Sequence, residues 1–208
     1  METSEKKIEL LTAVSALFMK LGIKSLTMDD ISSHIGISKK TLYQHVSDKK
    51  DLVKQCMELT VGTEQCMLCE ISDEKGNAID ELFSVNKRIS ERLQNLQPAV
   101  LFDLQKYYPE AWKVMENHKQ CFIYEMMVKN INHGIAEGLY RDNVNPEIVA
   151  KIYVGLIDKM FDPDFFPSNK YSFEVLHREI ARYHVRGIAS EKGKNYLAQK
   201  LINENLNF

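Results

Sequence analysis

The chain of 208 residues is long enough for one large or two small domains, each with its own hydrophobic core. With 44% hydrophobic residues, 27% charged residues and a net charge of -2, its composition is that of an ordinary soluble globular protein. No apolar run has the length of a membrane span and no apolar segment follows the N-terminus. We therefore expect no membrane segment and no secretory signal, and predict a cytoplasmic protein.

The first predicted helix begins near Thr3 or Ser4, either of which could cap it, and extends to about Leu21. Gly22 is expected to end it. Its apolar residues recur at spacings of three and four, which is typical of a core-facing stripe: Ile8, Leu11, Val14, Phe18 and Leu21.

A second, shorter helix is predicted to begin at Thr27. This residue is a favoured N-cap, and Asp30 three positions later forms an acidic variant of the capping box. Its core-facing stripe is Met28, Ile31 and Ile35. Gly36 is expected to end the helix, because glycine enters the left-handed conformation of a C-cap without steric cost.

A third helix is predicted over residues 39–46, with Ser38 as its N-cap. Leu42 and Val46 can face the core, whereas the other positions are cationic or able to form hydrogen bonds. Ser47 is expected to cap the following helix. Two short helices joined by a tight glycine turn, the second with a polar outer face, are typical of a helix-turn-helix.

The run Ile-Gly-Ile-Ser-Lys-Lys-Thr-Leu-Tyr-Gln-His at 35–45, followed by Ser-Asp-Lys-Lys-Asp-Leu at 47–52, resembles the DNA-binding domain of the TetR family of transcriptional regulators. The segment Thr41-Leu42-Tyr43-x-His45 carries most of this resemblance. Val46 stands where the family usually has an aromatic residue, a departure that concerns packing more than DNA contact. The resemblance implies an all-helical, dimeric regulator with a C-terminal ligand-binding domain.

The rest of the chain is also predicted to be helical, without a flexible linker or internal repeat. A long helix from Asp48 to about Ile71 would connect the two parts, and a loop follows at 72–77. The further predicted helices are 79–93, 98–107, 110–134, 145–160, 172–185 and 191–205. The fold class is therefore all-α, with a helix-turn-helix domain at 1–50 and a regulatory and dimerisation domain at 51–208.

A second resemblance concerns the dimer interface. Gly134-x-x-x-Gly138-x-x-Arg141, followed by Asn145-Pro146-Glu147, is similar to the segment that enters the penultimate helix of the TetR regulatory domain. In that family the last long helices of two subunits form a four-helix interface. Here the resemblance implies an interface made by 145–160 and 172–187, with a possible contribution from the final helix.

The candidate DNA contacts lie in and around the third helix. Up to Lys54 the chain has nine lysines against seven acidic residues, so DNA affinity depends on the placement of individual lysines. The candidates for phosphate contact are Lys39, Lys40, Lys49, Thr27, Ser38 and Tyr43. The candidates for base contact are Gln44 for adenine, Lys39 or Lys40 for guanine, and the Thr41 methyl group for thymine, while His45 could donate to either.

Two alternatives stay open at this point. Cys66 and Cys69 stand three residues apart, and such a dithiol could sense oxidant or bind a soft metal, although no nearby His completes a ligand set. Alternatively, the basic helix could bind an acidic protein partner without reading bases.

Aromatic and methionine side chains concentrate in the middle of the second domain. Some of them could line a pocket for a small hydrophobic ligand, as the resemblance implies: Phe102, Tyr107, Tyr108, Trp112, Phe122 and Met126. We find no catalytic motif, no cofactor motif and no metal-ligand pattern. The sequence thus predicts a homodimeric regulator that is not an enzyme, most simply a repressor that a small molecule releases from a double-stranded DNA operator.

Overall fold

The computed structural model describes residues 2–73 and 76–203, and in these ranges the protein is helical throughout. The α-helices are α1 (Glu2–Leu21), α2 (Met28–His34), α3 (Lys39–Tyr43), α4 (Lys49–Asp73), α5 (Ala78–Leu93), α6 (Pro98–Tyr107), α7 (Pro109–Asn117), α8 (Tyr124–Ala136), α9 (Pro146–Met160), α10 (Phe173–Ile188) and α11 (Glu191–Asn203). The described ranges contain no strand, only an isolated bridge between Tyr140 and Ala189. The all-α prediction is confirmed. No helix in these ranges is long and apolar enough to cross a bilayer.

Four predicted helix starts are confirmed by hydrogen bonds from backbone N–H groups to the capping side chains. The capping side chains are those of Thr27, Ser38, Asn145 and Ser172. The start of α4 differs, because the Asp48 carboxylate accepts from the backbone N–H of Asp51 at 2.9 Å. Ser47 instead donates its hydroxyl to the Asp51 carboxylate at 3.2 Å. Asp48, not Ser47, is therefore the capping residue of α4.

The ends of the first and last helices also differ from the sequence prediction. α1 already includes positions 3 and 4, so neither is its N-cap. Ile8 and Leu21, expected in its core-facing stripe, are 48% and 42% exposed. The expected end of the last helix at Asn205 lies outside the described residues.

The third helix is shorter than predicted. It ends at Tyr43, and the N–H groups of Gln44 and His45 bond to carbonyl groups three residues back, at 3.2 and 3.1 Å. This tighter pattern is common in the last turn of a helix. Gln44 and His45 therefore lie in a turn, and the expected helix end at Val46 is wrong.

The helix predicted over 110–134 is interrupted by a π-helical segment, His118–Ile123, between α7 and α8. A π turn holds one more residue than an α turn, so it changes which side chains face inward. Both His118 and Lys119 are buried in it. The His118 ring contacts Glu64 at 3.1 Å, and the Lys119 ammonium pairs with Asp158. Hydropathy periodicity does not reveal such a local change.

The chain groups into two compact units. Among the described residues, the first contains those up to 67 together with 95–118, and the second contains those of 68–94 and those from 119 to 203. The first unit thus contains α6 and α7 as well as the three N-terminal helices. Its core consists mainly of Leu11, Val14, Phe18, Ile31, Leu42, Val46, Leu52, Val53, Val100, Leu104 and Tyr108. The functional boundary at residue 50 stays a prediction.

The second unit packs α5, α8, α9, α10 and α11 around a separate apolar core. Tyr140 packs closely against Gly134, because a Cβ at position 134 would lie 2.1 Å from the tyrosine ring. The Tyr140 hydroxyl lies 3.2 Å from both the Ala78 carbonyl oxygen and the Asn130 side-chain oxygen. A buried hydrogen-bond network thus connects α5 and α8 to the turn after α8.

Candidate nucleic-acid interface

α2 and the turn after it are held by bonds that are local in sequence. Thr27 and Asp30 form the predicted capping box, with N–H to oxygen distances of 2.8 and 3.1 Å. Gly36 has a φ of +73°, the left-handed conformation that was expected to end the helix. The Thr27 hydroxyl also donates to the Asp30 carboxylate at 2.7 Å, so it is already engaged within the capping box.

Residues 38–45, here called the recognition segment, form a polar surface over the core of the first unit. Leu42 is fully buried within the segment, and Val46 just after it is 3% exposed. These two residues fasten the segment to the core on one side only. The exposed members are Ser38, Lys39, Lys40, Tyr43 and Gln44, whereas Thr41 and His45 are half-buried. The structure therefore brings seven of the nine predicted DNA-contact residues onto one continuous segment.

An acidic side chain from α2 is paired with the recognition segment. The Lys39 ammonium lies 2.9 and 3.0 Å from the two carboxylate oxygens of Asp29. This hydrogen bond raises the pKa of Lys39, so the lysine stays charged. Sequence inspection did not single out Asp29, because a separation of ten residues across a turn gives no periodic signal.

Lys49 occupies a different place from the other candidate lysines. Its ammonium is turned inward and donates to the carbonyl oxygens of Ile23 at 2.6 Å and Leu26, with a longer contact of 3.4 Å to that of Lys24. Burial lowers the pKa of Lys49. The expected phosphate contact therefore has to compete with bonds that the side chain already makes inside the protein.

The helix-turn-helix geometry agrees with a comparison against known families. The model described as "Bacterial regulatory proteins, tetR family" matches residues 10–56, which include α2, α3 and the turn between them. This match identifies residues 10–56 as a DNA-binding domain of the TetR family.

Relatives extend this similarity over most of the chain. The "Uncharacterized HTH-type transcriptional regulator YvaF" of Bacillus subtilis is 24% identical over 172 residues, which are 81% of this chain and 88% of the relative. The "HTH-type transcriptional repressor KstR2" of Mycobacterium tuberculosis is 23% identical over 157 residues, 72% and 76% of the two chains. Both are transcriptional regulators.

Two solved structures share the fold of this chain. The structure described as the reduced form of Escherichia coli NemR has a TM-score of 0.71 at 14% identity, covering 89% of this chain and 97% of that one. The structure of KstR2, described as a ketosteroid transcriptional regulator, has a TM-score of 0.55 at 20% identity, covering 89% and 96%.

The predicted ligand-pocket residues are distributed over both compact units. Phe102 is 52% exposed on α6. Tyr107, Tyr108 and Trp112 pack against the core of the first unit, whereas Met126 packs against the core of the second. Phe122 lies in the π-helical segment of the second unit. The six residues do not line one cavity within either unit, so a pocket made by them stays a prediction.

The second unit has an open cavity of about 400 Å³. The cavity is bordered by α9 on one side and by the π-helical segment and the start of α8 on the other. It is lined by Gln120, Tyr124, Lys151, Val154 and Gly155. The Lys151 ammonium lies 6.0 Å from the centre of the Tyr124 ring, and the Gln120 amide donates to Asp158 at 3.1 Å. The volume lies in the range of about 300–1,000 Å³ that is usual for small-ligand sites. Sequence inspection missed this cavity, since its residues share no motif.

The cysteines differ in accessibility. Cys56 is buried and donates to the Leu11 carbonyl oxygen, and burial raises the pKa of its thiol to about 12. Cys66, Cys69 and Cys121 are free and exposed. In the described parts of the chain, no group of three or more His, Cys, Asp and Glu side chains is placed to hold a metal ion.

Proposed function

We propose that the protein is a homodimeric repressor that binds a near-palindromic DNA operator and is released from it by a small ligand. One observation carries the DNA-binding part of this proposal. The recognition segment is fastened to the core through Leu42 and Val46, while its polar side chains face solvent. A helix held in this way can enter the major groove in a single orientation.

The exposed side chains divide into two roles. Lys40, Ser38 and Tyr43 are suited to phosphate contacts, which fix the position of the protein on the duplex without selecting a sequence. Gln44 can bond the edge of adenine by accepting with its amide oxygen and donating with its NH2 group, and the Thr41 methyl group can contact thymine. Lys39 can serve either role once it leaves Asp29.

The proposed dimer would form through α9 and α10, as the family resemblance implies. Both helices carry large apolar side chains on the solvent side. Ile148 and Ile152 on α9 are 57% and 55% exposed, and Tyr183 on α10 is 73% exposed. Burying such residues against the same surface of a second copy removes apolar area from water, which favours a symmetric pair.

The ligand would occupy the cavity of the second unit. The apolar part of its lining is the aromatic ring of Tyr124 and the aliphatic side chain of Val154. The polar part is the ammonium of Lys151 and the amide of Gln120. This lining suits a compact, mainly apolar molecule with a polar or anionic group. The relative KstR2, described as a ketosteroid transcriptional regulator, supports a small-molecule ligand for this chain as well. To release DNA, the ligand must bind the DNA-free conformation more tightly than the DNA-bound one.

The test is selection of bound sequences from a random duplex pool at fixed, near-physiological salt. We expect a palindrome, and the distance between its half-sites would report the separation of two recognition segments. Gln44→Ala should relax the preference at one base position per half-site, with a loss of about 1–3 kcal/mol in discrimination there. Tyr43→Ala is the matched control, because loss of a phosphate contact weakens all sequences alike.

A pool that stays random, with the protein folded and dimeric, would contradict the repressor proposal. A single half-site in place of a palindrome would contradict the dimer and leave base recognition intact. Because transcription takes place on chromosomal DNA, the proposed site of action is the cytoplasm.

A further inference from the structure

The loop between α1 and α2, residues 22–26, is held by a carboxylate from a distant helix. Asp103 of α6 accepts hydrogen bonds from the backbone N–H groups of Ile23 at 3.2 Å and Lys24 at 2.7 Å, with the same oxygen. Its side chain is 9% exposed. Asp103 lies about 80 residues further along the chain and belongs to the same compact unit as the loop.

An ammonium group binds the carbonyl oxygens of the same loop. Lys49, at the start of α4, donates to Ile23 and Leu26, and its third contact is with Lys24. An ammonium has three N–H donors, which matches the three carbonyl oxygens. The loop therefore has its N–H groups bound by a negative charge and its carbonyl groups bound by a positive one. The two charges also attract each other, and the carboxylate opposes the lowering of the Lys49 pKa by burial.

The loop leads directly into the capping box of α2. Leu26, whose carbonyl oxygen Lys49 binds, is followed by Thr27, the N-cap residue. A short loop between two helices would ordinarily bond to water, which permits many conformations. Bonds to two charged side chains select one conformation, and with it one orientation of α2 and α3 relative to α1.

We propose that Asp103 and Lys49 are positioning residues of the DNA-binding surface, which hold the α1–α2 loop so that the recognition segment has one orientation. The inference rests on the proposed DNA binding and assigns Lys49 a role inside the protein instead of at a phosphate. Neither residue touches DNA in this arrangement. Loss of either one lowers the fraction of molecules in the binding conformation, and the apparent dissociation constant rises by the inverse of that fraction.

Salt dependence separates positioning from phosphate contact. We would measure operator affinity over a salt series for Asp103→Ala, Lys49→Met and Lys40→Met. Lys40→Met, the matched control on the exposed surface, should reduce the slope of log affinity against log salt by about one. Asp103→Ala and Lys49→Met should weaken binding on the order of tenfold and leave the slope unchanged. A tenfold loss is what we expect if about a tenth of the variant molecules are in the binding conformation.

Two further variants separate positioning from a general loss of stability. Asp103→Asn keeps an oxygen acceptor for both N–H groups and loses only the charge, so it should bind DNA better than Asp103→Ala. Asn86→Ala removes a buried side chain of the second unit, which lies 3.4 Å from His177. It should destabilise the protein and leave the operator affinity of the folded molecules close to that of the wild type.

Hydrogen exchange of the Ile23 and Lys24 amides gives a measurement that needs no DNA. Faster exchange in Asp103→Ala, with unchanged exchange in Asn86→Ala, supports the assignment even if the operator is never found. A wild-type protein that binds no duplex would therefore count against the proposed function and not against the positioning role.

Three results would overturn the proposal. They are a slope reduced by about one in Lys49→Met, wild-type affinity in Asp103→Ala, and an equal loss of DNA affinity in Asn86→Ala at matched stability.

Discussion

The two compact units use their polar side chains differently. In the first unit, polar groups mostly bind loop and helix-end backbone, as in the capping box of Thr27 and the bonds from Lys49 to Ile23. In the second unit, several polar side chains bond to one another between helices, as Asn130 does to Glu81 and Lys119 to Asp158. The first arrangement fixes a surface and leaves its outer side chains available to DNA, whereas the second makes helix packing specific.

The largest expected effect concerns the second unit. Gly134→Ala would place a Cβ 2.1 Å from the Tyr140 ring, which cannot swing away without losing its hydrogen bonds at Ala78 and Asn130. We expect a loss of more than about 3 kcal/mol in the free energy of unfolding, measured by urea denaturation.

Gly62→Ala in α4 is the matched control for this substitution. Among the described residues, no atom outside the adjoining backbone of α4 lies within 4 Å of the Cβ that it would add. Since alanine is the better helix former, it should stabilise the protein by about 0.5–1 kcal/mol. Equal effects of the two substitutions would contradict the prediction. They would mean that Tyr140 can move to make room for a Cβ at position 134.

A loss of stability of similar size is expected when the pH is lowered. His184 on α10 is buried against the Tyr153 ring, at a centroid distance of 5.0 Å, and its Nε2 atom has no hydrogen-bond partner among the described residues. Burial lowers the pKa of His184 from 6.5 to about 4. Between these values the unfolded chain binds a proton that the folded protein does not, so stability falls as the pH decreases from 6.5 to about 4.

The expected loss from this group is about 3 kcal/mol, and above its unfolded pKa the group has no effect. The measurement is urea denaturation of the wild type and of His184→Phe at a series of pH values. The difference between the two proteins separates the contribution of His184 from that of the acidic side chains. An identical pH dependence in the two proteins would contradict the neutral, buried histidine.

The smallest effect concerns the surface of the first unit. Asp29→Asn removes the negative charge that pairs with Lys39 next to the recognition segment. We expect a gain of a few-fold in DNA affinity, because one repulsion with phosphate disappears and Lys39 is released. Fluorescence anisotropy with a labelled operator at two salt concentrations measures this gain, which should shrink at the higher one.

Glu191→Gln provides the control, because Glu191 forms a similar exposed pair with Lys194 at 2.7 Å in the second unit. It should leave DNA affinity unchanged. If both substitutions strengthened binding equally, total charge and not the position of Asp29 would be responsible.

Local features of the fold were predictable from the sequence because their causes lie within a few residues. Thr27 with Asp30, the left-handed Gly36 and the cap at Ser38 all depend on neighbours three or four positions away. The same is true of the buried pair Leu42 and Val46. Together they predicted the helix-turn-helix and the exposed side of the recognition segment.

The sequence by itself thus determined the helical class, the caps of α2 and α3 and the polar character of residues 38–45. Only the tertiary structure decided that Lys49 turns inward, that Asp103 binds the α1–α2 loop and that Asp29 pairs with Lys39. The same holds for the π-helical segment and for the cavity of the second unit. The physical reason is that an ammonium or a carboxylate bonds whichever backbone or opposite charge folding brings near it. That partner is 10 to about 80 residues away in these cases, where hydropathy periodicity carries no information.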